Sequence, residues 1–190
     1  MPTTGHILIS GAPGVGKTTA IKKISDILKD KRLNLNGFYT REVRQDGTRI
    51  GFDIVNLVTG ECKAFASVSH SSKAPKVGKY SVDISALESI ALSALQLPTV
   101  ESRSQNLVFL VDEIGKMELL SAKFKQAIKD LFAFNSDNIK IVATIPSVHT
   151  LPEVEAIRQR QDTVEIVVTR NNRNTVVERI INMLINNAIQ

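Results

Sequence analysis

Apolar residues along the chain arrive in short bursts separated by amphipathic stretches, and the period switches repeatedly between two residues and 3.6. His6 to Ser10 (HILIS) has the look of a strand and runs into a Gly-rich turn. Ile21, Ile24, Ile27 and Leu28 then share one helical face, with Lys29, Lys31 and Arg32 near the end, where cations suit the helix dipole. From Gly37 to Val68 the pattern becomes extended. GFYTREVR and TRIGFDIVNL flank Gln45-Asp46-Gly47, and an Asp-Gly pair between apolar runs signals a hairpin. Thr59-Gly60 predicts a second turn before ECKAFASV. These segments predict an antiparallel meander, 37–68, inserted after the first helix and followed by a flexible basic loop, 69–79.

The second half repeats the alternation. Ser85 to Leu95 reads as a helix opening on a Ser-x-x-Glu capping box, Ser85 with Glu88. After the loop PTVESRSQN come a strand (Leu107 to Val111), a helix (Ser121 to Phe132) and a strand (Ile139 to Ile145). A short helix near 152–160, a strand (Thr163 to Thr169) and a closing helix follow. Val176, Val177, Ile180, Ile181, Leu184 and Ile185 give that last helix its apolar face. Strands alternating with helices predict one α/β domain, residues 1–190, with a mainly parallel central sheet.

Composition narrows the function classes. The 190 residues suffice for one well-packed core. No run approaches the ~18 apolar residues that span a bilayer, and the start lacks a signal-peptide apolar region, so a cytoplasmic protein without a membrane partner is expected. Cys62 is the only cysteine, which excludes an internal disulfide and a cysteine-based zinc site. His6, His70 and His149 lack ligand-like spacing. The net charge of +5 comes without Trp and without a basic run interleaved with aromatics, so nucleic acid is not an expected partner.

GAPGVGKT, Gly11 to Thr18, fits G-x-x-x-x-G-K-[ST] at every fixed position, between a predicted strand and a predicted helix. Gly11, Gly14 and Gly16 let the backbone curl so that its N–H groups converge on phosphate oxygens. Lys17 bridges the outer phosphates and Thr18 offers a hydroxyl to Mg²⁺. A plain Gly-rich cap would explain the glycines but not the Lys-Thr pair.

LVFLVDEIGK supplies the counterpart. Asp112 and Glu113 end an apolar strand, and buried carboxylates need a cation or hydrogen bonds. Asp112 is the expected carboxylate toward Mg²⁺, and Glu113 the expected group to polarise the attacking water. Glu113 as a helix-capping or ion-pairing acid is the alternative, and Glu118 is the second-choice base. Lys116 is a candidate for neutralising transition-state charge, with Arg41, Arg44, Arg49, Arg158, Arg160 and Arg173 as others. Among these, Arg158 and Arg160 in IRQRQD stand nearest a strand start.

GAPGVGKTT, GFYTREVRQDGTRIGFDIV, GKYSVD, VDEIGKMELLS, ATIP, IRQRQD and VTRNNRN occur in an order that resembles the small P-loop nucleoside-triphosphatases, among them the cancer-related nucleoside-triphosphatase of animals. The resemblance covers roughly Ile7 to Asn174, and VDEIGKMEL is its most specific piece. It implies a P-loop NTPase three-layer fold and a monomer. The implied activity is slow, Mg²⁺-dependent hydrolysis of ATP, GTP and other nucleoside triphosphates, with low base selectivity. The family's nucleotide-contacting segments carry over onto Gly11, Ala12, Pro13, Gly14, Val15, Gly16, Lys17, Thr18 and Thr19, and onto Phe109, Leu110, Val111, Asp112, Glu113, Ile114, Gly115 and Lys116.

Base recognition has a weak sequence signal. The stretch after TVEIVVT reads Thr169-Arg170-Asn171-Asn172-Arg173-Asn174, without the Asn-Lys-x-Asp of a guanine-specific loop. Arg170 or Arg173 could stack on any base; alternatively Asn172 or Asn174 caps the last helix. Two other functions fit the same cradle: a nucleotide or small-molecule kinase, and a nucleotide-dependent switch with a macromolecular partner.

Overall fold

The computed structural model describes residues 5–69, 73–99, 106–134 and 136–186. Their elements run β1 (His6–Gly11), α1 (Lys17–Asp30), β2 (Asn34–Gln45), β3 (Thr48–Asn56), β4 (Cys62–Ser67), β5 (Lys76–Val77), β6 (Tyr80–Val82) and α2 (Ile84–Ala94). Then come β7 (Leu107–Val111), α3 (Ala122–Ala133), β8 (Ile139–Thr144), α4 (Pro152–Arg158), β9 (Thr163–Val168) and α5 (Val176–Asn186). The strands form one mixed sheet in the order β5-β6-β4-β3-β2-β7-β8-β1-β9. Pairings from β2 through β7, β8 and β1 to β9 are parallel, and those from β2 outward to β5 are antiparallel.

Period-two alternation sends neighbouring residues of each central strand to opposite faces. Ile7, Ile9, Val108, Leu110 and Val142 join the core under α1 and α5, where Ile21, Ile24, Leu28, Ile180 and Leu184 are buried. Leu8, Phe109, Val111, Ile141 and Ala143 join the opposite core with α2, α3 and α4, through Leu87, Ile90, Phe124, Leu131 and Ile157. The result is three layers, helices over both faces of the sheet. Parallel strands covered on both sides explain why LVFLV and IVA are apolar without a polar face.

The extended region differs in one respect from a simple insertion. β2 starts at Asn34, and its first half, Asn34 to Phe38, pairs in parallel with Leu107 to Val111 before its second half turns into the meander. One long strand therefore belongs to both halves of the sheet. At the hairpin, Asp46 (φ 49°) and Gly47 (φ 75°) both take left-handed geometry, as a two-residue turn between Gln45 and Thr48 requires. The second turn is held by Asn56, whose Oδ1 accepts the Val58 and Thr59 N–H groups at 2.8 and 3.1 Å.

The expected capping box at Ser85 is not the cap. Helix α2 begins at Ile84, and Asp83 caps it by accepting the Ala86 N–H at 2.9 Å. Glu88 instead accepts from Ser121 Oγ at 2.8 Å and Lys123 Nζ at 2.9 Å, tying α2 to the start of α3. Asp83 stands one residue before the helix, where an Asp accepts well. Most of the expected loop 98–106, with residues 70–72 of the basic loop and thus His70, lies outside the described residues.

Candidate active site

At the carboxyl end of β1 the chain turns sharply beside β9. A Cβ on Gly11 would stand 2.5 Å from Val168 O, so only glycine fits where these strands converge. Val15 is buried in the core and anchors the turn, while Ala12, Pro13, Gly14 and Thr19 are exposed. Helix α1 starts at Lys17 with Gly16 at its N-cap, φ 116°. No side chain caps this end and no acid occupies its first turn, so its free N–H groups and dipole favour an anion. Lys17 and Thr18 are half-buried, and Lys17 Nζ donates to Gly11 O at 3.1 Å.

Strand order decides what faces this turn. β8 lies between β1 and β7, which sets the ends of β1 and β7 two strand spacings apart, roughly 10 Å. Asp112 leaves β7 at this same carboxyl end and is 1% exposed. Its Oδ1 accepts from Thr144 Oγ1 at 2.7 Å, and its Oδ2 accepts longer bonds from the Thr40 N–H and hydroxyl at 3.4 and 3.3 Å. Thr40 comes from β2 and Thr144 from β8, the strands on either side of β7. Sequence reasoning missed both threonines as site residues. The only available signal was a hydroxyl ending each apolar run, TIP in one case and FYT in the other.

The Asp112–Glu113 peptide bond is cis. Burial pushes the Glu113 carboxyl above the usual carboxylate range; the Lys17 charge draws it partly back, and Asp112 adds to the rise. Lys17 and Glu113 thus share one electrostatic environment although 96 residues separate them in sequence. Glu118, on a short 3₁₀ turn Glu118–Leu120, is buried. Burial raises its carboxyl to about 8, with the Glu113 charge adding to the effect. Both acids crowd Gly115: a Cβ there would meet Glu118 Oε2 at 3.0 Å and Glu113 Oε1 at 3.2 Å. Lys116 is exposed on the same loop.

Several predicted contacts are placed elsewhere. Phe109, Leu110, Val111 and Ile114 are each 0% exposed, so their side chains hold Asp112 and Glu113 in position rather than face a ligand. Arg160 lies at the wrong end of the sheet. It forms two hydrogen bonds, of 2.8 and 2.6 Å, with Asp162, whose backbone carbonyl accepts the His6 N–H at the start of β1. The length of β1 separates it from the Gly-rich turn, roughly 17 Å. Arg158 is closed into a network: Nη1 donates to Glu155 Oε1 at 2.8 Å and Nη2 to Pro146 O. Its Nε stands 3.0 Å from Glu165 as an ion pair without hydrogen-bond alignment. Arg41 pairs with Asp53, and Arg44 and Arg49 pair with Glu42 on the hairpin. None of these five arginines is a free cation at the Gly-rich turn.

The loop after β9 begins beside Gly11 and presents exposed Arg170 and Arg173. Asn172 does not cap α5; its side chain accepts the Thr169 N–H at 2.8 Å and donates to Val167 O at 2.8 Å. Helix α5 starts only at Val176, so Asn174 lies two residues before it.

The arrangement offers an anion cradle, two threonines fixing a buried carboxylate, and a second carboxylate beside the cradle lysine. Residues 6–181 match the family model described as NTPase. The cancer-related nucleoside-triphosphatase of Homo sapiens is 39% identical over 180 residues, 93% of this chain and 94% of that protein. The nucleoside-triphosphatase THEP1 of Thermotoga sp. (strain RQ2) is 42% identical over 178 residues, 94% of each. Among solved structures, THEP1 from Aquifex aeolicus superposes with a TM-score of 0.81 at 37% identity, covering 94% of this chain and 98% of that one. The human cancer-related nucleoside triphosphatase superposes with a TM-score of 0.81 at 39% identity, covering 94% and 96%.

Proposed function

The chain belongs to the NTPase family, and on that premise we propose that it hydrolyses nucleoside triphosphates to diphosphate and phosphate at the carboxyl end of β1 and β7. The observation that carries this reading is geometric: Thr144, in register with Ile9 of the strand that enters the Gly-rich turn, holds Asp112 at the same end of the sheet, with Glu113 next to it in the chain. The phosphate cradle and an acid able to handle a water proton thereby face one space.

The polyphosphate rests on the free N–H groups that open α1, with Lys17 exchanging its bond to Gly11 O for phosphate oxygens. Glu113 holds the attacking water and takes its proton; its desolvated carboxylate is a stronger base than one in water. Thr40 and Thr144 keep Asp112 fixed so that nothing must reorganise during the reaction.

The donor set fits Mg²⁺. This ion keeps most of its water and takes one or two carboxylates plus substrate phosphates, whereas no cluster of three or more His, Cys, Asp or Glu is arranged for a metal among the described residues. Asp112 keeps lone-pair capacity on Oδ2, whose bonds are long. Thr18 and Asp112 would hold the ion, which when bound neutralises phosphate charge. Low base selectivity follows from the loop after β9, where Asn172 is committed to its own turn and the exposed Arg170 and Arg173 offer only stacking. Slow turnover fits the same picture, because Arg41, Arg44, Arg49, Arg158 and Arg160 are committed to other partners and leave fewer cations for the transition-state charge.

Phosphate release from ATP, GTP, CTP and UTP, with MgCl₂ and with EDTA, tests the reading. All four are expected to turn over at rates within about tenfold of each other (the ~1.4 kcal/mol of a weak stacking preference), and EDTA to stop the reaction. Strong preference for one base, or metal-independent turnover, would overturn the finer reading.

A further inference from the structure

Glu113 also lines a cavity of about 280 Å³ whose lining includes no residue of the Gly-rich turn. Its lining includes Thr40, Glu113 and Glu118 together with Phe52, Phe65 and Val77 from β3, β4 and β5. A hydrolase needs room there for one water, roughly 30 Å³. The antiparallel half of the sheet instead leaves an aromatic-lined space several times that size, near the lower end of small-molecule sites. Phe52 and Phe65 stand with ring centroids 6.4 Å apart, tilted by 50°, and Phe52 remains half-buried.

Resting on the reading of the site given above, we propose that this cavity is an acceptor pocket in which a neutral nucleoside takes the γ-phosphoryl group in place of water. Three features select that class. The aromatic wall suits a flat base. Glu118 is buried at the cavity, and a carboxyl kept protonated by burial presents a donor and an acceptor side by side, the pattern that matches a base edge. Among the described residues, Lys116 is the one cationic side chain in the lining and stands against the Glu113 carboxylate, so the cavity has no cluster of cations to hold an acceptor already carrying phosphate. Glu113 and Thr40 line both this cavity and the hydrolytic site, so an occupant's hydroxyl reaches the position that water otherwise takes.

In the transfer, the nucleoside hydroxyl oxygen forms a bond to the γ-phosphorus. The bond from that phosphorus to the β,γ-bridging oxygen breaks, and its electron pair leaves with the nucleoside diphosphate. The hydroxyl proton passes to the Glu113 carboxylate and later to solvent. The products are one nucleoside monophosphate and one nucleoside diphosphate.

The test incubates the full chain with γ-labelled ATP, MgCl₂ and each common nucleoside in turn, measuring labelled nucleoside monophosphate and free phosphate in the same vessel. The expected result is labelled monophosphate with at least one nucleoside, while free phosphate falls correspondingly. Val77→Trp, which fills the cavity from β5, is expected to reduce transfer at least tenfold with phosphate release within twofold of wild type. Val77→Ala controls for folding and retains both. Phosphate release without labelled nucleoside, stimulation of release without transfer, or transfer to monophosphates but not nucleosides would each overturn the proposal while sparing the hydrolase reading. Absence of any ATP turnover would overturn both.

Discussion

Thr144 Oγ1 donates to Asp112 Oδ1 at 2.7 Å, joining the ends of β8 and β7 inside the protein. Thr144 is 0% exposed and pairs in register with Ile9 of β1, so this hydroxyl stands between the Gly-rich turn and the carboxylate. Thr144→Val keeps the shape and removes the donor. Leaving a buried charged acceptor short of a hydrogen bond costs about 1.5–3 kcal/mol. Thermal unfolding is expected at lower temperature, and phosphate release at least tenfold slower, the counterpart of ~1.4 kcal/mol of positioning lost. Thr144→Ser should restore most of the rate. Full activity in the valine variant would remove the threonine from the site.

On the proposed reading, Lys17 serves binding and Glu113 serves turnover. Lys17→Ala deletes the charge on the phosphates and is expected to abolish measurable nucleotide binding or turnover. Glu113→Gln keeps the side chain's size and should bind ATP with Mg²⁺ while hydrolysing it at least ~10²-fold slower. Nucleotide titration and phosphate release on both variants check the split. A glutamine variant that retains its rate would shift the base to Glu118.

Arg160→Ala should leave phosphate release within about twofold of wild type, a ~0.4 kcal/mol limit on the barrier. Its guanidinium is committed to Asp162 beside the start of β1, far from the phosphate turn. Both partners are more than a third exposed, and such pairs contribute ~0–1 kcal/mol to stability. A large loss of rate would place Arg160 in the reaction despite its position.

Glu118 makes stability fall with rising pH. Its folded value of about 8 stands above the ordinary 4.5 because burial opposes ionisation. Between those values the folded state holds a proton that the unfolded state has lost, so stability declines through this window and levels off above it. Glu118→Gln removes the proton. The melting temperature of wild type minus variant is expected to drop by several degrees from pH 5 to pH 9, each kcal/mol being about 2–4 °C at this size. His6, whose burial lowers it to about 4, contributes a loss on the acid side, but it is common to both proteins and cancels in the difference. A constant difference would mean that Glu118 titrates normally.

Much of this site is written locally. GAPGVGKT specifies a strand-turn-helix because glycine conformation and a helix N-terminus are properties of adjacent residues. The apolar period of α1 and α5, the Asp46-Gly47 hairpin and the acids ending β7 are legible for the same reason. Local signals also compete. Ser85 and Glu88 formed a valid capping box on paper, but Asp83 took the cap and Glu88 turned to Ser121 and Lys123 on another helix. Arg158 and Arg160 looked available, but the folded chain turns Arg158 onto Glu155 and Glu165 and Arg160 onto Asp162 at the far end of the sheet.

The sequence by itself determined which segments could grip a polyphosphate and which acids could serve it, since those capacities reside in side-chain chemistry and backbone freedom over a few residues. Tertiary structure decided who meets whom. Placing β8 between β1 and β7 delivered Thr144 to Asp112, and letting β2 serve both halves of the sheet delivered Thr40. Strand order is settled by how helices cover both faces of one sheet, an interaction among residues 30 to 100 positions apart, and no short motif encodes it.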